Sequence, residues 1–454
     1  MVATDDRPWD QLRELIGQRD RAAILAFLEA LPAADVARAI SRLPIEDQGQ
    51  LLTSLEPEDA ADLVDCFVDA QAASMIEQLA PEAAAAILDE LPSADQADLL
   101  SELEDEQAEA ILQAMDPVEA VGARALSAYD HDVAGGLMLA EYLTFSRAAT
   151  VRDVLGDLGE SADKYRDYDV QYAYVVGTRN RLVGVLRLRD LLLARRGTPI
   201  EELMIADPVT VLDSTPLEEL DDFFDAHHFI AVPVVDGQGT IVGVVRRNAV
   251  EEALGERGAS DYRKSQGIVG GEELRTMPLL LRSRRRLSWL SINIVLNICA
   301  ASIIAMHQDT LTAVIALAVF LPIISDMSGC SGNQAVAVSM REMTLGLVDS
   351  RELLRVLGKE ATLGVINGLT LGALVAGVAW AWKGNPYLGL VVGIAMMANT
   401  IIAVSIGGTI PLILKRFNLD PALASGPILT TVTDMSGFMI VLGLASAMID
   451  KLAV

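Results

Sequence analysis

Basic residues are missing from a long stretch of this 454-residue chain: between Arg42 and Arg124 there is no lysine or arginine. Acids recur through the same stretch, from Glu46 and Asp47 to Glu106 and Glu109. A surface of that sign excludes nucleic acid and anionic lipid as partners of this segment, since both are bound through lysine and arginine. Cysteine is scarce as well. Cys66, Cys299 and Cys330 form no CxxC pair, which leaves no framework for disulfides or zinc knuckles. A basic leader with a short apolar core is also missing, because Met1 to Asp20 is polar and acidic, so no secretory signal is expected and the soluble part is expected to stay in the cytoplasm.

What is present falls into two kinds. The chain is 52% hydrophobic yet carries a formal net charge of −28, which no uniform globular domain combines. Before residue 280 it is charged and broken by short apolar patterns; beyond Arg286 it becomes long apolar runs. A soluble part is therefore joined to a membrane part.

The soluble part opens with a twelve-residue repeat. Rows such as LPIEDQGQLLTS, LAPEAAAAILDE and LPSADQADLLSE are each headed by an apolar residue: Leu31, Leu43, Leu55, Phe67, Leu79, Leu91, Leu103 and Met115. Proline at the turn, then acids, then Ala and Leu at helical spacing predict one short helix per row. Units that short cannot bury an apolar face alone, so they should stack into a helical solenoid. Its concentrated negative charge calls for counter-ions, and magnesium or calcium, which take carboxylate ligands, are the natural ones. The competing reading is a solvated acidic surface.

From about Ala140 short strands alternate with helices. Ala173 to Val176 and Leu182 to Leu186 precede a helix from Leu188; Ala231 to Val235 and Ile241 to Val245 precede a helix from Asn248. The two copies, YAYVVGTRNRLVGVLRLRDLL and AVPVVDGQGTIVGVVRRNAV, resemble the halves of a CBS-domain pair, a regulatory module that in many proteins holds an adenine nucleotide such as ATP. Asp190 stands where that family places a ribose-binding aspartate, whereas Ala249 holds the equivalent place in the second copy, and Arg187 and Arg246 replace the customary Ser or Thr. A plain dimerisation and relay module is the alternative. Arg246 and Arg247 are expected to face a phosphate or the acidic solenoid. A connecting helix, Ala249 to about Thr276 with Glu251, Glu252, Glu256 and Asp261, should end in the basic run Arg282 to Arg286.

Five stretches are long enough to cross a bilayer: roughly 287–306, 311–333, 361–382, 387–414 and 422–449. Arg282 to Arg286, then Arg341, Arg351, Arg355 and Lys359, then Lys415 and Arg416 fall on one side, while the other offers Lys383 and Lys451. The positive-inside rule makes the amino-terminal half cytoplasmic and puts Val454 outside. An ionisable residue in hydrocarbon costs about 3 kcal/mol or more and marks a water-filled path or a partner. Asp434, in TTVTDMSG beside Thr430 and Thr431, and Asp326, in ISDMSGCSGNQ, qualify. The Gly332–Asn333 segment is expected to break its helix beside the path. Carboxylates, hydroxyls and no imidazole or thiolate cluster describe a hard-cation path rather than one for zinc or copper, and magnesium, which sheds water reluctantly, suits a wide site with one carboxylate per subunit.

In these residues and their order the whole chain resembles the MgtE magnesium channels. SGNQ at Ser331 to Gln334 matches the end of that family's second membrane helix, and DPAL at Asp420 to Leu423 followed by TTVTDMSG matches the start and centre of its fifth. The resemblance implies a multidomain membrane protein: an all-α acidic helical solenoid (1–136), an α/β CBS-domain pair (137–200 and 201–248), a connecting helix (249–283) and five transmembrane helices (284–454). It also implies a homodimer in the cytoplasmic membrane with Asp434 of each copy on the path, and closure by cytoplasmic magnesium on acids such as Asp59, Asp95, Glu252, Asp261 and Asp420. Departures are Asp326 where the family carries glycine, SGCSGNQ for GGNTGNQ, Gly426 for asparagine, and Asn248 and Ala249 for acids in the connecting helix. Competing readings are an ion-coupled transporter or exporter of manganese, cobalt or calcium, a regulatory scaffold without transport, and an intramembrane aspartyl protease. The protease would need a GxGD context that neither aspartate has.

Overall fold

A computed structural model describes residues 7–452 apart from 163–164, 166–167, 169–170, 269–270, 272, 276, 349 and 418. It forms two compact units, Met1–Glu256 and Arg257–Val454.

In the first unit, helices start at Ala33, Ile45, Pro57, Asp69, Pro81, Ser93, Asp105 and Pro117, one for each twelve-residue row. Proline explains the spacing. Pro32, Pro44 and Pro92 sit extended at the cap while Pro57 and Pro81 open the helix itself, where a missing N–H costs nothing. Each helix packs on the next but one, Pro57–Asp65 on Pro81–Leu88 and Asp69–Ile76 on Ser93–Glu102, so the row-heading Leu43, Leu79, Leu91, Leu103 and Met115 turn into one continuous core.

The strands form two sheets: β1 (Leu143–Ser146), β2 (Tyr172–Val176), β3 (Leu182–Arg187) and β4 (Ile205–Ala206), then β5 (Val211–Leu212), β6 (Ala231–Val235) and β7 (Ile241–Arg246). The halves repeat each other. β1 and β2 run parallel and β2 and β3 antiparallel, as do β5 with β6 and β6 with β7, and both hairpins carry a register shift in the same place. The β6–β7 turn is closed by Asp236, whose Oδ1 accepts from the N–H groups of Gln238 and Thr240 at 2.8 Å each, with Gly239 at φ +79°.

The connecting helix is shorter than the sequence suggests. It runs from Arg247 to Ser265, the chain then turns at Gly267 (φ +80°), and Thr276 lies outside the described residues. A Cβ on Gly267 would stand 2.0 Å from Trp289 Cδ1, which accounts for the glycine. The basic run is not the end of this helix but the first turns of the next, Leu279–Met306. There Arg282 and Arg286 donate to the Glu273 carboxylate, at 3.2 and 2.9 Å from their Nε atoms, and hold it below the usual carboxylate range.

Among the described residues five segments are long and apolar enough to cross a membrane: Leu279–Met306, Ile315–Thr344, Leu353–Lys383, Pro386–Arg416 and Pro421–Ala447. They are called the first to fifth spans. The second span does not break at Gly332 and Asn333, contrary to expectation; its helix continues from Leu321 to Thr344. The glycine serves a crossing instead. A Cβ on Gly332 would lie 2.9 Å from the Ala403 carbonyl oxygen of the fourth span, and one on Gly407 would lie 2.3 Å from the Gly332 carbonyl oxygen. Small residues let backbones approach in this way in lipid, where helix association depends on packing. Gly407→Ala should therefore cost about 1–3 kcal/mol by overpacking and lower the melting temperature in detergent. Gly377→Ala, with no atom within 4 Å of the added carbon, should not, and equal melting of the two variants would refute the tight crossing.

Candidate functional site

The fifth span carries the candidate intramembrane site. Asp420 caps its start, Oδ1 accepting from the N–H groups of Ala422 at 2.9 Å and Leu423 at 3.3 Å, while Oδ2 lies 3.0 Å from Lys264 Nζ. Asp420 is thus already neutralised by an ammonium and a helix end. About midway along the span Asp434 is 9% exposed, and Ser325 Oγ of the second span donates to its Oδ1. Thr431 Oγ1 donates to the Pro427 carbonyl at 2.7 Å, and Thr430, one turn before Asp434, is exposed.

On the second span Asp326 and Asn333 are exposed, two turns apart and therefore on one stripe, next to the face that Ser325 and Gly332 present inward. The structure brings Asp434 to Ser325, not to Asp326. No lysine or arginine stands between 321 and 340, 387 and 414, or 421 and 450 to neutralise either acid. Two polar groups that sequence reasoning missed lie in the same bundle. Asn399 of the fourth span is fully buried and accepts from Ser436 Oγ at 2.6 Å. Glu360 of the third span has its Oε2 buried without a hydrogen-bond partner, and its stem fills the notch at Gly408, where a Cβ would meet Glu360 Cγ at 2.5 Å. The signal for Glu360 was span length: a span drawn from residue 361 stops one residue short of it, whereas the helix starts at Leu353.

The soluble unit gathers a second group of acids. Asp95, on the helix Ser93–Glu102, is pushed up to about 7 by burial and then by Asp65, Asp98 and Asp69, with Arg246 easing it. Asp69 is pushed up to about 6 by burial and then by Asp98, Glu102 and Glu252, with His131 easing it. His131 Nδ1 lies 2.8 Å from Asp98 Oδ1 and its ionisation is raised by that bond. Asp69, Asp65, Asp98 and Glu102 therefore join Asp95 and Glu252. Asp59 does not, because Arg21 Nη2 holds it at 2.8 Å, and Asp261 lies nine residues beyond Glu252 on the connecting helix, about 14 Å away by the helical rise. Among the described residues no three ligating side chains converge on one point. These acids repel one another without forming a closed cage.

Between the two CBS-like halves a small, open cleft is lined by residues that include Tyr142, Tyr172, Tyr174 and Arg246. Asp190 is outside it, on the helix Leu188–Leu193, with Arg189 Nε at 3.7 Å. Arg247 does not face the cleft or the solenoid; it donates to backbone carbonyls, among them His227 O at 2.6 Å.

The sign of the pH dependence follows from the raised acids. Asp69 and Asp95 ionise near 3.8 when unfolded and at about 6 and about 7 when folded, so the stability they contribute is complete below about pH 4 and lost as pH rises through 6 to 7. Without divalent cations the soluble unit of the full-length protein should lose hydrogen-exchange protection around residues 65–102 between about pH 5.5 and 8. Millimolar magnesium at the upper pH should restore it, and sodium chloride of equal ionic strength should not. Equal protection by sodium would reduce the acids to a solvated surface.

The family model MgtE, described as a divalent cation transporter, matches residues 321–444; the model for the MgtE intracellular N domain matches 31–132, and the CBS domain model matches 133–197 and 200–256. The chain is 34% identical over 339 residues to the magnesium transporter MgtE of Thermus thermophilus, covering 74% of each chain. It is 30% identical over 342 residues to the magnesium transporter MgtE of Bacillus subtilis, covering 75% of each. A crystal structure of the cytosolic domain of the Mg2+ channel MgtE in complex with ATP is 32% identical, with a TM-score of 0.48 over 54% of this chain and 99% of that one.

Proposed function

The chain belongs to the MgtE family of divalent cation transporters, and from that membership we propose that it is a magnesium channel of the cytoplasmic membrane whose path is organised by Asp434 and closed by cytoplasmic magnesium. Asp434 carries the reading: a nearly buried carboxylate at mid-span, held by one hydroxyl and faced by no basic residue of the second, fourth or fifth spans. Such a group is stable in a bilayer when it faces water and a cation. A single carboxylate per copy suits magnesium that keeps its water shell. The exposed Asp326 and Asn333 cannot face lipid, so their stripe is assigned to a path shared by two copies of the chain, with Val454 outside and the first unit cytoplasmic by the loop charges.

Closure is assigned to the acids around Asp95 and Asp69. A divalent cation between them removes the repulsion that ionisation creates and draws the solenoid toward Glu252 at the start of the connecting helix. An adenine nucleotide in the CBS cleft would set its phosphates on Arg246 and take away the positive charge that eases Asp95, which couples the two ligands through one side chain. An ion-coupled carrier is distinguished by flux that depends on a proton or sodium gradient.

Asp434→Asn keeps volume and removes charge, so magnesium flux into proteoliposomes should fall at least tenfold, by roughly 1.4 kcal/mol or more of lost ion stabilisation, while the protein stays folded. Wild-type flux in that variant rules the site out. Asp326 adds two charges to a shared path, and Coulomb attraction there strengthens binding of every divalent. Asp326→Gly should therefore weaken competition by manganese against magnesium flux; an unchanged competition curve in a folded variant would remove Asp326 from the path.

A further inference from the structure

We propose that Asn399 is the positioning residue that fixes the rotation of the fifth span and thereby the place of Asp434, an inference that rests on the reading of Asp434 given above. Ser436 Oγ lies 2.6 Å from Asn399 Oδ1 and 2.7 Å from the Val432 carbonyl oxygen, so its one proton is shared between the amide and its own helix. Its Nδ2 presses into the notch at Gly437, where a Cβ would stand 2.7 Å from Nδ2 and 3.3 Å from Ile324 Cγ2. Ser436 and Gly437 flank Thr433, which is fully buried, so the amide grips one face of the fifth span. Asp434 borders that face, and Ser325 of the second span holds it from the other side.

The fifth span is thus clamped at two azimuths, amide to hydroxyl on one side and hydroxyl to carboxylate on the other. Side-chain tips lie roughly 5–6 Å from a helix axis, so a slip of about 20° would carry the carboxylate about 2 Å. A hydrated magnesium ion held through its waters does not tolerate that displacement. Packing does not explain the amide. A leucine would fill the space without burying a polar group, and Asn399 Nδ2 has no acceptor among the described residues.

The test uses the full-length protein in proteoliposomes. Asn399→Ala combined with Gly437→Ala returns carbon to the notch while removing the acceptor, and Ser436→Ala removes the donor without a clash. The double variant should melt like the wild type, yet it and Ser436→Ala should raise the half-saturating magnesium concentration roughly three- to tenfold, the range of one lost hydrogen bond, and admit manganese more readily. Ser436→Thr, which keeps the hydroxyl, should restore both values. Wild-type half-saturation and competition in the folded double variant would overturn the proposal. If the double variant fails to fold, an unchanged half-saturation in Ser436→Ala overturns it instead. Asp434→Asn separates the two levels: wild-type flux there sinks the ion-site reading itself, whereas lost flux there with an unaffected double variant sinks the role of Asn399 alone.

Discussion

A carboxylate in hydrocarbon costs about 3 kcal/mol or more, and no lysine or arginine between 321 and 340, 387 and 414 or 421 and 450 lowers that cost for Asp434. The bundle is built around holding it. Glycines at 332 and 407 bring the second and fourth spans into backbone contact, which places Ser325 on one side of the fifth span and Asn399 on another. Close packing and the buried polar bonds therefore depend on each other: a wider crossing at Gly407 would separate the two spans whose polar groups hold the fifth.

The soluble unit meets the same electrostatic problem without a membrane. Its acids divide by whether a cation from the chain reaches them. Arg21 reaches Asp59, and Arg124 reaches Glu109 at 2.8 Å, so these need no ion from solution. Asp69 and Asp95 have Arg246 and His131 as distant help and are pushed toward protonation by burial among other acids. That contrast locates the least neutralised acids of the solenoid in its middle, nearest the CBS-like sheets, where Ser93 also donates to both oxygens of Glu141 from its N–H and hydroxyl.

Much of this organisation was legible in the sequence because it is local. A proline or an acid at the head of each twelve-residue row names each solenoid helix, alternating Val-rich runs name β2, β3, β6 and β7, and apolar length names the spans. What was not legible depends on distant partners. Nothing near Asp59 in sequence announces that Arg21 neutralises it, nor does anything near Asp95 announce Asp69 or Arg246 beside it. Gly332 and Asn333 read as a helix break because glycine and asparagine end helices in water, but in a bundle the small residue is kept for a crossing and the helix continues. Asn399 looked like one polar residue in an apolar run; its meaning comes from Gly437 on another span.

Within the second unit Lys264 makes a further electrostatic contact to the fifth span. It lies one residue from the end of the connecting helix and pairs with Asp420, the cap of the span that carries Asp434. A helix rises about 1.5 Å per residue, so fourteen residues of the fifth span, about 21 Å with Pro427 inside the helix, separate that pair from Asp434. Any coupling between the cap and Asp434 would run through that stretch and against the hold of Asn399 and Ser325. Coupling of this kind is reciprocal. If cations on the acids near Glu252 bias the connecting helix toward one position, an ion at Asp434 that prefers the other position must weaken their binding by the same factor. The Lys264–Asp420 pair is part-exposed, so salt screens its attraction and a divalent cation competes with the ammonium for the carboxylate.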